Sequence, residues 1–165
     1  MSPSGLKPIL VSACLLGLNT RYNNCCKKND QVLSWLADGN WVPLPVCPEQ
    51  LGGLPTPRPK AEYQSGDGET ILDNQGQIHN GAGQDLSPAL RQGAEQTLTI
   101  AQLSHCRFAL LKERSPSCGV HAVYRNGAIV EGRGATSALL TRHGIRVFCE
   151  EDLVAGNGPE PDNHG

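Results

Sequence analysis

The sequence predicts an α/β fold: one domain on a mostly parallel sheet, with helices on both faces and a small hairpin. Three observations carry this expectation. Short apolar runs alternate with helical patterns along the chain, the signature of strands joined by crossover helices. Two of the runs, 8–13 and 108–111, are apolar almost throughout, as strands buried on both faces are. The 165 residues include 19 Gly and 12 Pro, which implies many shaped turns on a chain long enough for one real core.

The elements follow in order. The first strand, 8–13, ends at Cys14 and breaks into a turn at Leu15–Asn19, after which Arg21–Asn29 is polar and Asn-rich. A helix is predicted from Asn29 or Asp30, either of which can cap it, through Ala37, with Gly39-Asn40 as its stop. Residues 41–46 read as a second strand; Pro43 and Pro45 mark it as short or as an edge. The stretch 45–58 is punctuated by four prolines and two glycines and reads as a loop of defined shape. Residues 61–83 are the least regular part, with a small hairpin or an irregular excursion at 71–78.

Ser87-Pro88 opens a helix, with Ser as N-cap and Pro at the first helical position. Leu90, Ala94, Leu98 and Ala101 recur near a 3.6 period, carrying that helix to Leu103 or Ser104. Strand 108–111 follows. Residues 122–124 and 128–130 flank Asn126-Gly127, a strong hairpin signal. A helix at 136–143 is closed by Gly144, and 145–148 forms the last strand. The alternation is that of a Rossmann-like sheet. Residues 1–153 are assigned to the domain and 154–165, which are almost without apolar residues, to a disordered tail.

Composition narrows the function. Formal net charge is −2 and no run of Lys or Arg reaches three residues, so no basic patch for a nucleic-acid polymer is visible. A free base or nucleoside fits better. No apolar run approaches the roughly 20 residues needed to span a bilayer. The first eight residues lack the charged and apolar regions of a signal peptide, so a cytoplasmic location is expected.

In a reducing compartment, seven cysteines at 14, 25, 26, 47, 106, 118 and 149 point to metal, catalysis or burial rather than disulfides. There is no paired CxxC of zinc-finger spacing. Cys14, Cys47 and Cys118, however, each lie at or a few residues past the C-terminal end of a predicted strand. In an open parallel sheet, that is where ligands bind. Soft sulfur donors select zinc, copper(I) or an iron–sulfur cluster. Three thiolates on zinc would need a His or water to complete the shell, and His121 is the one histidine in these loops. A [4Fe-4S] cluster commonly takes four cysteines; three leave one iron open to a substrate atom. Cys25 and Cys26 read as exposed thiols, and Cys106 and Cys149 as core.

Three segments then carry a resemblance. Val11-Ser12-Ala13-Cys14-Leu15-Leu16-Gly17 with Arg21-Tyr22, the stretch from Val46 to Arg58, and Lys112-Glu113-Arg114-Ser115-Pro116-Ser117-Cys118-Gly119 resemble, in order, three motifs of the thiouracil desulfidase family. The resemblance runs from about Ile9 to Leu153. It implies a [4Fe-4S] cluster on Cys14, Cys47 and Cys118, and replacement by water of the sulfur of a thiolated uracil bound through that sulfur at the open iron. It also implies an acid/base role for Glu49 and an active-site serine at Ser115. Read from the residues alone, Glu49 is a loop carboxylate and Ser115 a turn residue or N-cap, while Arg58 is expected to order its loop or pair with a carboxylate such as Glu62. The sequence departs from the family pattern at Asn23–Cys26, at Arg58–Glu62 and in the Tyr124–Gly132 hairpin, which bear on substrate choice. The competing readings are a cluster-free enzyme using Cys14 or Cys118 as a redox or sulfur-transfer nucleophile, and a non-catalytic metal-binding module.

Overall fold

The computed structural model describes residues 5–159. Four parallel strands form the first sheet: β1 (Lys7–Ser12), β2 (Trp41–Val46), β5 (Phe108–Leu111) and β8 (Arg146–Cys149), in the order β2-β1-β5-β8. Strand β2 is therefore an edge, as its prolines foretold. Alternate residues of the central strands serve opposite faces. Leu10, Ala109 and Leu111 pack with Ala101 of helix α4 (Ser87–Leu103) and Leu140 of α5 (Ala135–Arg142). Ile9, Val11 and Leu110 pack with Val32 and Leu36 of α1 (Asp30–Asp38) and against Leu153 of α6 (Glu150–Val154). Burying each such Leu or Ile is worth roughly 1.5–3 kcal/mol, so a doubly covered sheet follows from strands apolar on both faces.

The second sheet is mixed, with order β4-β3-β6-β7. It joins β3 (Ala61–Ser65) and β4 (Gln77–Asn80), which are antiparallel, to the hairpin β6 (Ala122–Arg125) and β7 (Ala128–Glu131). The hairpin turn is as predicted, with Asn126 at φ 48° and Gly127 at φ 80°. The hairpin is not a separate appendage, however, and the expected excursion at 71–78 is instead α3 (Gly68–Leu72) leading into β4. Asp67 caps α3 in a capping box with Thr70. Pairing of β3 with β6 is a long-range contact that local periodicity does not report. Helix α4 spans both sheets, with Leu90 and Ala94 packed beneath the second and Leu98 and Ala101 against the first.

Two short helices were not foreseen. Pro48–Leu51 is helix α2, opened by Pro48, whose fixed φ suits a first helical position, so within the expected loop this proline starts a helix. Glu150–Val154 is α6, directly after β8. The N-terminal cap of α4 also differs by one residue: Leu86 is the cap, and the Ser87 N–H donates to the Asp85 carboxylate. Asn29 does cap α1, accepting from the Val32 N–H. Of the expected tail, Asn157 N–H donates to the Asp152 carbonyl, and 160–165 lie outside the described residues.

Candidate active site

Each of the three site cysteines follows a strand of the first sheet. Cys14 lies in a 3-10 turn (Ala13–Leu16) straight after β1, and Cys47 sits between β2 and α2. Cys118 is reached through the loop after β5. All three, with Glu49 and Ser115, line one cleft of about 290 Å³ beyond the carboxyl ends of the strands. Cys14 and Cys118 are buried, Cys47 is half-buried, and none is in a disulfide.

Glu49 is the hub of the polar contacts. Arg58 Nη2 donates to its Oε2 at 3.2 Å, a pair whose side chains are 10% and 13% exposed. The Cys47 thiol points at the same oxygen at 3.5 Å. The Ser115 hydroxyl faces Oε1, also at 3.5 Å, long for a hydrogen bond but within the slack of a site without substrate. Arg58 thus pairs with Glu49, not with Glu62, whose carboxylate accepts from the Gly127 N–H. Its guanidinium also donates to the Thr20 carbonyl and the Thr56 hydroxyl, fastening the Cys47 loop to the turn after β1.

Ser115 has a second task. Its hydroxyl oxygen accepts from the Ser117 and Cys118 N–H groups, the turn role read from the residues alone. The loop it heads is held along both edges. On one side Glu113, buried at 3% exposure, accepts from the N–H groups of Arg114, Val120, His121 and Ala122. On the other, the N–H groups of Gly134, Ala135 and Thr136, where α5 begins, donate to the carbonyls of Gly119, Pro116 and Ser117. Tyr63 adds its hydroxyl to the Pro116 carbonyl from the second sheet. Sequence reading passed over Glu113; a lone acidic residue at a strand end carries no signal of its own.

Electrostatics set the thiols' character. Burial, reinforced by the Glu49 carboxylate, pushes Cys14 and Cys47 up from 9.0 to about 11, and Cys118 well above its ordinary value. Such thiols are poor nucleophiles. A cationic metal centre reverses that logic, because a coordinating thiol gives up its proton outright. Among the described residues, the group of three potential ligand atoms lying within 4.8 Å of one another is Glu113, His121 and Cys149. In that group Glu113 Oε1 accepts from four N–H groups, Oε2 accepts from the His121 N–H and His121 Nε2 pairs with Asp152, so it is a hydrogen-bonded knot beneath the loop.

A family model described as 2-thiouracil desulfurase matches residues 9–152. The chain belongs to the 2-thiouracil desulfurase family. A solved structure described as the [4Fe-4S]-dependent thiouracil desulfidase TudS is similar in fold, with TM-score 0.76 and 40% identity over 90% of this chain and 94% of that one. A Bacillus subtilis (strain 168) relative, described as uncharacterized protein YbbK, is 37% identical over 148 residues, 88% of this chain and 97% of its own length. Both matches run over most of this chain and nearly the whole of the other protein. Among the described residues no helix is long and apolar enough to cross a membrane.

Proposed function

We propose that this protein is a desulfidase that converts a thiolated uracil and water to uracil and sulfide, with a [4Fe-4S] cluster held by Cys14, Cys47 and Cys118. The observation that carries the reading is the meeting of three unpaired cysteines with the Glu49–Ser115 pair in one cleft. The donor set fits the cluster: three thiols from three loops, each held protonated by burial until a cation compensates the charge. When bound, the cluster supplies a Lewis-acidic open iron for the thiocarbonyl sulfur.

The chain's own residues do the rest. Arg58 fixes Glu49 through Oε2, which leaves Oε1 turned toward Ser115 and the cleft. Oε1 is the atom that takes a proton from the attacking water and returns one to the departing sulfur. The Ser115 hydroxyl, anchored by the Cys118 N–H, orients that water or a polar edge of the ring. Raised thiol pKa values disfavour the cluster-free nucleophile, which would need a lowered one.

Anaerobic reconstitution with iron and sulfide tests the reading. The expected result is visible iron–sulfur absorption, lost in Cys14→Ser, Cys47→Ser or Cys118→Ser, together with sulfide release from 2-thiouracil. Full activity on 2-thiouracil with no iron present would overturn it.

A further inference from the structure

The loop from Arg114 to Ala122 contains both Ser115 and Cys118, yet it has little regular structure of its own. Its shape is imposed from outside. One carboxylate, Glu113, gathers four of its N–H groups at 2.8–3.3 Å. Those donors outweigh the cost of burial and hold the carboxyl below its ordinary range, so the group is an anion inside the protein. Its own N–H is taken in turn by both oxygens of Glu150 at 3.1 Å. Where the loop leaves β5, Arg114 is bent into the left-handed region at φ 66°, which is disfavoured for a residue with a Cβ. The bend brings its N–H onto Glu113. At the opposite edge Tyr63, fully buried, reaches from the second sheet to the Pro116 carbonyl.

We propose that Glu113 and Tyr63 are positioning residues of the reaction, which set the Ser115–Cys118 loop so that the Ser115 hydroxyl meets Glu49. Among the described residues no hydrogen bond joins either of them to the Glu49 carboxylate; both act through Ser115. All four N–H groups point at Oε1 and the His121 N–H also at Oε2, so an amide there would remove the charge they converge on and turn an NH2 donor toward the His121 N–H. The second sheet, whose Ala61 and Tyr124 also line the cleft, thereby acts on the loop through the Tyr63 hydroxyl. This inference rests on the desulfidase reading.

The test is a pair of double-mutant cycles on reconstituted protein, Glu113→Gln with Ser115→Ala and Tyr63→Phe with Ser115→Ala. Each single variant should lower kcat about tenfold with KM for 2-thiouracil within about twofold, and each should change kcat less than twofold once Ser115 is already Ala. Iron per chain should stay at the parent level. Amide hydrogen exchange at Val120 and Ala122 should accelerate in Glu113→Gln, with or without cluster. Additive losses in both cycles, or unchanged exchange, overturn the proposal. If Glu113→Gln does not fold, Tyr63→Phe decides, since it removes only the hydroxyl. A parent enzyme without desulfidase activity sinks the functional reading instead, and the exchange measurement still decides whether Glu113 holds the loop.

Discussion

Gly93 of α4 faces Pro48 of α2 so closely that a Cβ on it would lie 2.0 Å from the Pro48 carbonyl oxygen. Gly52 makes the reciprocal approach, with a Cβ there 2.1 Å from the Ala89 carbonyl oxygen. Two glycines thus let α2 lie on α4, and α2 sets Cys47 and Glu49 at the cleft. Gly93→Ala should improve helix propensity by about 1 kcal/mol yet lose more by overpacking, typically about 1–3 kcal/mol. The expected outcome is a lower Tm together with reduced turnover; a higher Tm at full turnover would contradict the close approach.

Arg58→Ala removes the partner of a carboxylate that is largely out of solvent. It also frees the Thr20 carbonyl and Thr56. Urea denaturation should show a loss on the order of 2 kcal/mol, between exposed and fully buried ion pairs. Arg58→Lys should recover little of it, because an ammonium cannot span the three acceptors as a guanidinium does.

Glu49→Gln should keep iron content and absorption while turnover falls by roughly 10²- to 10⁴-fold, the range of lost general acid–base catalysis. Single-turnover sulfide release with reconstituted protein measures it. Unchanged turnover removes Glu49 from the mechanism.

Glu113 predicts an acid sensitivity with a definite sign. Its folded pKa lies below the ordinary 4.5, because the N–H donors of His121, Arg114, Val120 and Ala122 outweigh burial. The stability it contributes is therefore complete above 4.5 and disappears as pH falls through the depressed folded value. Thermal melts of the parent and Glu113→Gln should differ most near neutrality and converge in acid. A constant gap across that window would show that the carboxylate's charge is not what holds the loop.

What was legible in the sequence depended on range. Ile9–Val11 and Ala109–Leu111 announced buried strands because the information is local, and Asn126-Gly127 announced its turn for the same reason. The strand ends then gave Cys14, Cys47 and Cys118, which the structure does bring to one cleft. The second sheet was missed because Tyr63 and Arg125 pair across 62 positions. Helices α2 and α6 are too short for a periodic pattern to form, and Pro48 gives the same signal whether it breaks or begins a helix. Arg58 found Glu49 rather than Glu62 because the loop folds back on itself, a fact held in backbone contacts such as Arg58 N–H to the Tyr22 carbonyl.

Among the described residues strand β2 has one neighbour, β1, and two of its six residues, Pro43 and Pro45, carry no N–H. A strand from another molecule approaching that open side meets a broken row of donors, one of the ways natural sheets resist edge-to-edge aggregation. The cleft opens at the end of this same strand, where Cys47 begins the next loop. The prolines that marked β2 as an edge therefore guard the sheet's vulnerable border just where Cys47 emerges.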